Sequence, residues 1–242
     1  MRTWILRRCR EGGRGWLIAA ILAIVGCVPA AAQTVQVLPE LDTYLELNST
    51  TRIWFQAKET REGGVPTQAE IGPSLDYYIR SLPKLAQITP LDLDRSKSSL
   101  LVLSFGYRYL PQTSGAPATN RLEPVATLQI PLKAKFELAD RNRADLDWEA
   151  GAFTWRYRNR IQVERPFNAG RVRLTPYASA EFFYESLYKK WSTTEVDAGV
   201  TIPLGSKVQI SPYYQHENNT GGSHNKQVNA LGGILNLYFS VR

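Results

Sequence analysis

Arginine and carboxylate side chains recur at every second position in the middle of the chain. The set consists of Arg141, Arg143, Asp145, Asp147, Arg156, Arg158, Arg160, Glu181 and Glu185. Guanidinium groups bind carboxylates and phosphates through paired hydrogen bonds. This spacing therefore predicts one of two things: internal ion pairs between neighbouring segments, or a polar path that favours anionic solutes.

The first interpretation is favoured, because charges of both signs alternate on adjacent segments. Opposite charges that face each other across neighbouring strands pair and fill the space between them. We therefore expect a structural or narrow-transport role, with a polar interior filled by Arg and Glu. The specific activity stays unassigned.

An enzymatic alternative rests on the two histidines. His216 and His224 lie near Glu217 and Ser223, and some membrane barrels are lipid hydrolases or deacylases that use Ser and His. Nucleophilic catalysis needs a base that a third group orients, and this spacing is not specific for such a set. Phosphate-binding, zinc and calcium motifs were not found. We expect no enzyme activity, no catalytic residues, no metal and no cofactor.

Two alternating runs within residues 151–185 position the central charges. Phe153, Trp155 and Tyr157 occupy the parity opposite to Arg156 and Arg158. A β-strand has a period of two, so the apolar and charged side chains lie on opposite faces of a sheet. Apolar faces about ten residues long suit strands that cross a bilayer around a polar interior.

The same alternation recurs along the chain and predicts an all-β fold, an antiparallel transmembrane β-barrel of about ten strands over residues 42–242. An even strand number and two periplasmic termini are expected for a bacterial barrel of one chain. Brief links near Pro131, Pro166 and Pro203 then share one side, and the loops at Pro111 and Glu217 share the other. A secreted soluble β-barrel that binds a ligand is the alternative.

Two segments depart from this regular pattern. Asp140 and Asn142 share the parity of apolar residues such as Leu138 and Leu146, which predicts a bulge near Asp140. The connection 81–98 is long and rich in proline and charge. Because it falls on the side of the brief links, we expect it to cover the lower mouth of the barrel.

The first 32 residues have the features of a signal peptide. Five arginines flank or precede an apolar run from Trp16 to Val28, which is too short for a membrane helix. Small residues precede a predicted cleavage between Ala32 and Gln33. The alternative is a lipoprotein cut at Cys27. Residues 33–41 are expected to be an N-terminal tether.

The charge balance gives little indication of a nucleic-acid partner. The formal net charge is +7, and the leader with five arginines and one glutamate contributes +4, which leaves +3. No nucleic-acid module is recognisable, so we expect none to bind. Both cysteines, Cys9 and Cys27, lie in the leader. The product cut after Ala32 therefore forms no disulfide.

Aromatic residues are expected to form belts at the two membrane interfaces. The predicted outer belt comprises Trp148, Trp155, Tyr184, Tyr188 and Trp191, and the inner belt Phe167 and Phe239. The alternative is that these side chains pack the core of a soluble protein.

Four stretches together resemble a family of uncharacterised bacterial outer-membrane β-barrels that carries only a domain-of-unknown-function label. They are residues 140–143, 155–160, 174–184 and 218–221, the last followed by the closing strand to Phe239. The resemblance implies a barrel in the outer membrane of a Gram-negative cell. It also implies outer-membrane lipids and the barrel-assembly machinery as partners, and leaves the oligomeric state open. Many such barrels end on an aromatic residue, whereas three residues follow Phe239 here.

Overall fold

The computed structural model describes residues 34–88, 92–113, 115, 117–170 and 172–241. The strands are β1 Thr34–Glu46, β2 Thr51–Glu62, β3 Val65–Ser81, β4 Ser99–Leu110, β5 Thr119–Pro131, β6 Glu137–Glu149, β7 Ala152–Glu164, β8 Phe167–Ala169, β9 Val172–Glu185, β10 Lys190–Pro203, β11 Val208–Asn219 and β12 Lys226–Ser240. A short helix α1, Pro83–Ile88, and 3-10 turns at Arg95–Ser98 and Lys133–Lys135 complete the elements. No helix in these ranges is long and apolar enough to span a bilayer.

Eleven of these strands close into a mixed β-barrel, and the prediction of an all-β barrel is confirmed. Neighbouring strands pair antiparallel, β8 pairs only with β9, and β12 closes the ring by pairing parallel with β1. The parallel register runs from Thr34 opposite Val228 to Glu46 opposite Ser240. The strand number is therefore close to the expected ten, but it is odd, and the β1–β12 pair is parallel where only antiparallel pairs were expected.

The additional strand arises because the segment expected to be a tether continues through residues 42–46 as β1, and a turn at residues 47–50 separates it from β2. Residues 34–41 form the first part of β1, and Val35, Val37 and Leu41 are exposed on the outer face. Pro39 favoured a tether because proline lacks a backbone N–H. The pairing of β1 with β2 includes Val37 and resumes at Glu40, so Pro39 lies outside it. Gln33 and the expected leader, including the predicted cleavage after Ala32, lie outside the described residues.

An odd number of strands places the two ends of the barrel chain at opposite rims. We call the rim where β1 begins the N-rim and the rim where β12 ends the C-rim. The links near Pro131, Pro166 and Pro203 lie at the C-rim, and the loops after Leu110 and Asn219 lie at the N-rim, as the loop lengths predicted. The expectation that both termini share one side is wrong, because an eleventh strand reverses the chain once more.

The barrel is polar inside and apolar outside. Buried polar and charged residues outnumber buried hydrophobic ones, and large hydrophobic side chains are exposed along the outer wall. Leu235 is 38% exposed whereas its neighbour Asn236 is 8% exposed, which agrees with the predicted facing of β12. This distribution is the reverse of that in a soluble protein and typical of strands that face lipid.

Aromatic side chains pack along the outer wall at the N-rim. The rings of Trp155 and Tyr184 stack with centroids 5.6 Å apart, and Trp191 meets Tyr184 edge-on at 5.8 Å. Trp148 packs against Phe153 at 5.1 Å. Four of the five residues expected for the outer belt therefore lie on this wall, whereas Tyr188 lies in the β9–β10 loop with its ring against Gly221. Phe167 and Phe239 are exposed near the C-rim.

The bulge expected near Asp140 is absent from the β6–β7 pair. The register there is continuous from Glu137 opposite Glu164 to Glu149 opposite Ala152. Asp140 and Asn142 therefore face outward. Side chains on β7 satisfy part of their hydrogen-bonding capacity, so the strand needs no bulge to turn them inward.

Candidate functional site in the barrel lumen

Glu181 on β9 accepts hydrogen bonds from two arginines inside the barrel. Arg158 of β7 donates through Nε and Nη2 to the two carboxylate oxygens, both at 2.9 Å. Arg141 of β6 donates to the same carboxylate at 3.2 Å. Glu181 is 1% exposed, so its charge is balanced by these guanidinium groups rather than by solvent.

Asp145 on β6 has an equivalent role and is fully buried. Arg156 donates to its Oδ2 at 2.7 Å, and Arg143 donates to its Oδ1. Arg158 lies 3.8 Å from the same carboxylate and so connects the Asp145 and Glu181 groups. Its guanidinium also lies 4.3 Å above the ring of Phe183, an aromatic side chain inside the lumen.

The remaining predicted residues, Arg160 and Glu185, have other partners. Arg160 donates to Asp197 at 2.9 Å and to Ser179 at 3.1 Å. Glu185 accepts from Ser192 at 2.5 Å and from Thr193 at 3.4 Å instead of pairing with an arginine. The structure thus brings Arg141, Arg143, Arg156, Arg158 and Glu181 into one network, which Arg160 extends and from which Glu185 is separate.

Additional residues that sequence reasoning did not assign extend this network toward β2–β5. Arg143 also donates to Glu123, and the fully buried Arg108 donates to Gln56 at 3.0 Å and to Ser74 at 2.9 Å. Arg121 donates to Asp147 at 2.6 Å and to Glu70 at 3.1 Å. The signal that could have found them was parity, because Arg108, Arg121 and Glu123 alternate with apolar neighbours.

A cavity of about 320 Å³ remains in the lumen among these ion pairs. Arginines of β6 and β7 line one side, and Glu40 and Asp42 of β1 line another. The rings of Tyr177 and Tyr213 lie against glycines of the neighbouring strands. A Cβ at Gly232 would lie 2.0 Å from the Tyr213 ring, so only glycine fits beneath it. Charged and aromatic side chains therefore leave only a small polar space.

The β3–β4 connection is bonded to the C-rim. Asp94 accepts from Arg52 at 2.6 Å, and Arg52 also donates to Asp76 at 2.6 Å. Lys97 contacts Glu164 at 2.7 Å and Asp92 at 3.1 Å. These contacts attach residues 92–98 to β2 and β7, strands that are well separated around the ring. Residues 92–98 therefore lie across this mouth of the barrel, as their position in the sequence suggested.

Two charges in this connection have shifted pKa values. Burial raises the pKa of Asp94, but the positive charges of Arg52 and Lys97 lower it further, so it lies below the usual value. Burial lowers the pKa of Lys97, but Asp92 and Glu164 raise it well above the usual value. Each shift favours the charged form of the group, so the contacts hold the connection in place at neutral pH.

The histidines have local partners at the N-rim. His216 Nδ1 lies 2.9 Å from Asn229 Oδ1, which also accepts from the hydroxyl of Tyr214 at 2.6 Å. His224 Nδ1 lies 3.0 Å from Oγ of its chain neighbour Ser223. Among the residues that the structure describes, no group of three or more His, Cys, Asp or Glu is arranged to hold a metal ion.

The fold and the lumen together define a class, the closed β-barrels with an apolar exterior and an ion-paired interior. Within that class, the chain belongs to the protein family of unknown function DUF2490, whose family model matches residues 88–229. The matched segment includes β4 to β11 and with them the central charge network. The family resemblance seen in the sequence is confirmed, and the family description assigns no activity.

Two further comparisons with known proteins complete this picture. A solved structure described as a bacterial polysaccharide outer membrane secretin is similar at 9% identity, with a TM-score of 0.48. The similarity covers 77% of this chain and 63% of that protein, so this chain spans less than two thirds of its length. Among curated proteins, none matches the chain.

Proposed function

We propose that this protein is an outer-membrane β-barrel that spans the bilayer and keeps its lumen closed to solutes. Its role is structural rather than that of an open pore. The exposed apolar wall, with aromatic side chains near both rims, supports the membrane position. Thirteen residues of a strand such as β7 rise about 30 Å at the usual tilt, which exceeds the apolar band of about 25 Å. The leader expected in residues 1–32 supports export.

The observation that carries the closed state is the ion-pair network around Arg158. Its carboxylate partners lie on β6 and β9, on either side of β7, and the pairs continue to Glu123 on β5 and Asp197 on β10. A barrel of eight strands is already filled by side chains, and eleven strands enclose only a slightly wider lumen than that. Paired guanidinium groups therefore occupy the path that an anion would take.

The connection at the C-rim supports the same proposal. The Arg52–Asp94 pair attaches the connection to the beginning of β2 at the C-rim, and the Arg52 side chain is 6% exposed. An ion crossing the lumen has to pass both the central pairs and this cover. A soluble binding protein, the alternative from the sequence, is disfavoured because it would expose the apolar wall to water.

The experiment that tests this proposal is recording from the purified protein in planar bilayers, with vesicle flotation as a control for insertion. We expect flotation with the lipid, heat-modifiable migration in detergent gels and little or no steady conductance. A large, steady, anion-selective current would overturn the closed lumen and make the arginines a transport filter. Recovery in the soluble periplasmic fraction would overturn the membrane position.

A further inference from the structure

Four polar side chains form a patch on the outer wall of the barrel. The outward polar patch consists of Asp140 and Asn142 of β6 and Tyr157 and Asn159 of β7, all of them half-buried. Asn142 pairs with Asn159 in the β6–β7 register and lies five residues from the start of β6 and seven from its end. The patch is therefore near the middle of the wall.

Hydrogen bonds within the outward polar patch converge on two oxygen atoms. Asn159 Nδ2 donates to Asp140 Oδ1 at 2.7 Å and to Asn142 Oδ1 at 3.1 Å. Asn142 Nδ2 donates to Asp140 Oδ1 at 3.2 Å, and the Tyr157 hydroxyl donates to Asn142 Oδ1 at 2.5 Å. Oδ2 of Asp140 and Oδ1 of Asn159 take part in none of these bonds. Two acceptor oxygens of the patch thus lie outside this set of internal hydrogen bonds.

At this depth, hydrocarbon offers no donor to a carboxylate or an amide. Polar side chains on a lipid-facing wall are costly, and in membranes they mark contacts with other polar groups. We propose that the outward polar patch is the contact between two copies of this chain that lie side by side in the membrane. The inference rests on the proposed membrane position.

The geometry favours a second copy over an unrelated partner. Two copies with the same orientation in the bilayer are related by a two-fold axis along the membrane normal, which brings a patch at one depth against the same patch at the same depth. Asparagine amides carry both donors and acceptors, so the patch is complementary to itself. Exposed apolar side chains border the patch, with Phe182 opposite Asn159 and Leu128 opposite Asp140, and they would add apolar contact around the paired polar groups.

The test is energy transfer between donor-labelled and acceptor-labelled copies in lipid vesicles, titrated by dilution with lipid. The label is attached at Ser223→Cys, an exposed residue of the N-rim loop, with Cys9 and Cys27 replaced by serine. The variant Asp140→Leu, Asn142→Leu, Asn159→Leu removes the patch. The matched control, Thr43→Leu with Glu59→Leu, replaces outward polar residues of β1 and β2.

We expect the unmodified protein and the control to form pairs. The patch variant should separate at a lipid dilution at least about fivefold lower, because one hydrogen bond in a membrane changes the association constant by about that factor. Heat-modifiable migration verifies that each variant forms a barrel. Energy transfer that is absent in the unmodified protein, or equal in the patch variant, would overturn the proposed contact. Failure of the protein to float with vesicles would instead reject the membrane position.

Discussion

Arg158 bypasses the residue directly opposite it and pairs with Glu181. Its register partner on β9 is Phe183, whose ring lies under the guanidinium at 4.3 Å, while Glu181 is opposite Arg160. The pairing is therefore diagonal. A diagonal pair fixes the relative position of β7 and β9, because a shift of the strands would separate both oxygens of Glu181 from Arg158.

Removing the charge of Glu181 is expected to destabilise the barrel. Glu181→Gln leaves Arg158 and Arg141 without their shared carboxylate, and breaking a buried pair costs about 3–5 kcal/mol. Urea unfolding of the protein reconstituted in vesicles measures the change. Glu185→Gln is the matched control, because the described contacts of Glu185 are hydrogen bonds from the hydroxyls of Ser192 and Thr193 and include no arginine. Equal losses in the two variants would contradict the role given to Glu181.

The two faces of β12 are expected to respond differently to a new positive charge. Leu235→Arg places a cation against lipid, which costs about 2–4 kcal/mol near the midplane. Asn236→Arg adds a cation inside the polar lumen and should cost less. Vesicle insertion and unfolding free energies of both variants provide the comparison. If the inward variant is damaged as much as the outward one, the proposed environment of the outer wall is wrong.

Removing the three arginines of β7 is expected to open a leak. Arg156→Ala, Arg158→Ala and Arg160→Ala together empty the centre of the lumen and leave Asp145 and Glu181 with fewer cationic partners. Conductance in planar bilayers should rise above that of the unmodified protein and favour cations, since the remaining charge is negative. A folded triple variant that stays electrically silent would show that other side chains close the lumen.

Acid is expected to loosen the cover at the C-rim. The folded pKa of Asp94 lies below its usual value, so its contribution to stability is complete above the usual aspartate range and is lost as the pH falls through the folded pKa. Hydrogen exchange measures this loss: the protein is labelled for a short time at each pH, and the protection of the backbone amides of residues 94–98 is compared. Asp94→Asn should exchange faster already at neutral pH. If the variant and the unmodified protein show the same protection from hydrogen exchange, Asp94 does not hold the connection at the C-rim.

The histidines are expected to have no part in catalysis. Purified protein should not hydrolyse phospholipid or lipopolysaccharide, and His216→Ala with His224→Ala should leave any cellular phenotype unchanged. His216 Nδ1 contacts the amide oxygen of Asn229, which is not an acidic group of the kind that orients a catalytic base. A hydrolytic activity that disappears in the double variant would establish the enzymatic alternative.

Periodicity predicted the barrel and the residues that face its interior, but not which of them pair. The parity of Arg156, Arg158 and Arg160 was sufficient to place them in the lumen. Their partners depend on the stagger between strands, so Glu185, which has the right parity, lies beside Ser192 instead of an arginine. Asp140 was assigned to a bulge because a lipid-facing carboxylate is unfavourable, and the hydrogen bond from Asn159 could not be foreseen.

The seam between β1 and β12 determines how the barrel has to assemble. Each other neighbouring pair around the ring joins segments that follow one another along the chain, so hairpins form early and close small loops. The seam joins the first strand to the last and has the largest loop-closure entropy cost, so we expect it to form after the hairpins. Parallel pairing is also slightly weaker per residue than antiparallel pairing. Until the seam closes, both edge strands remain open to pair with another chain.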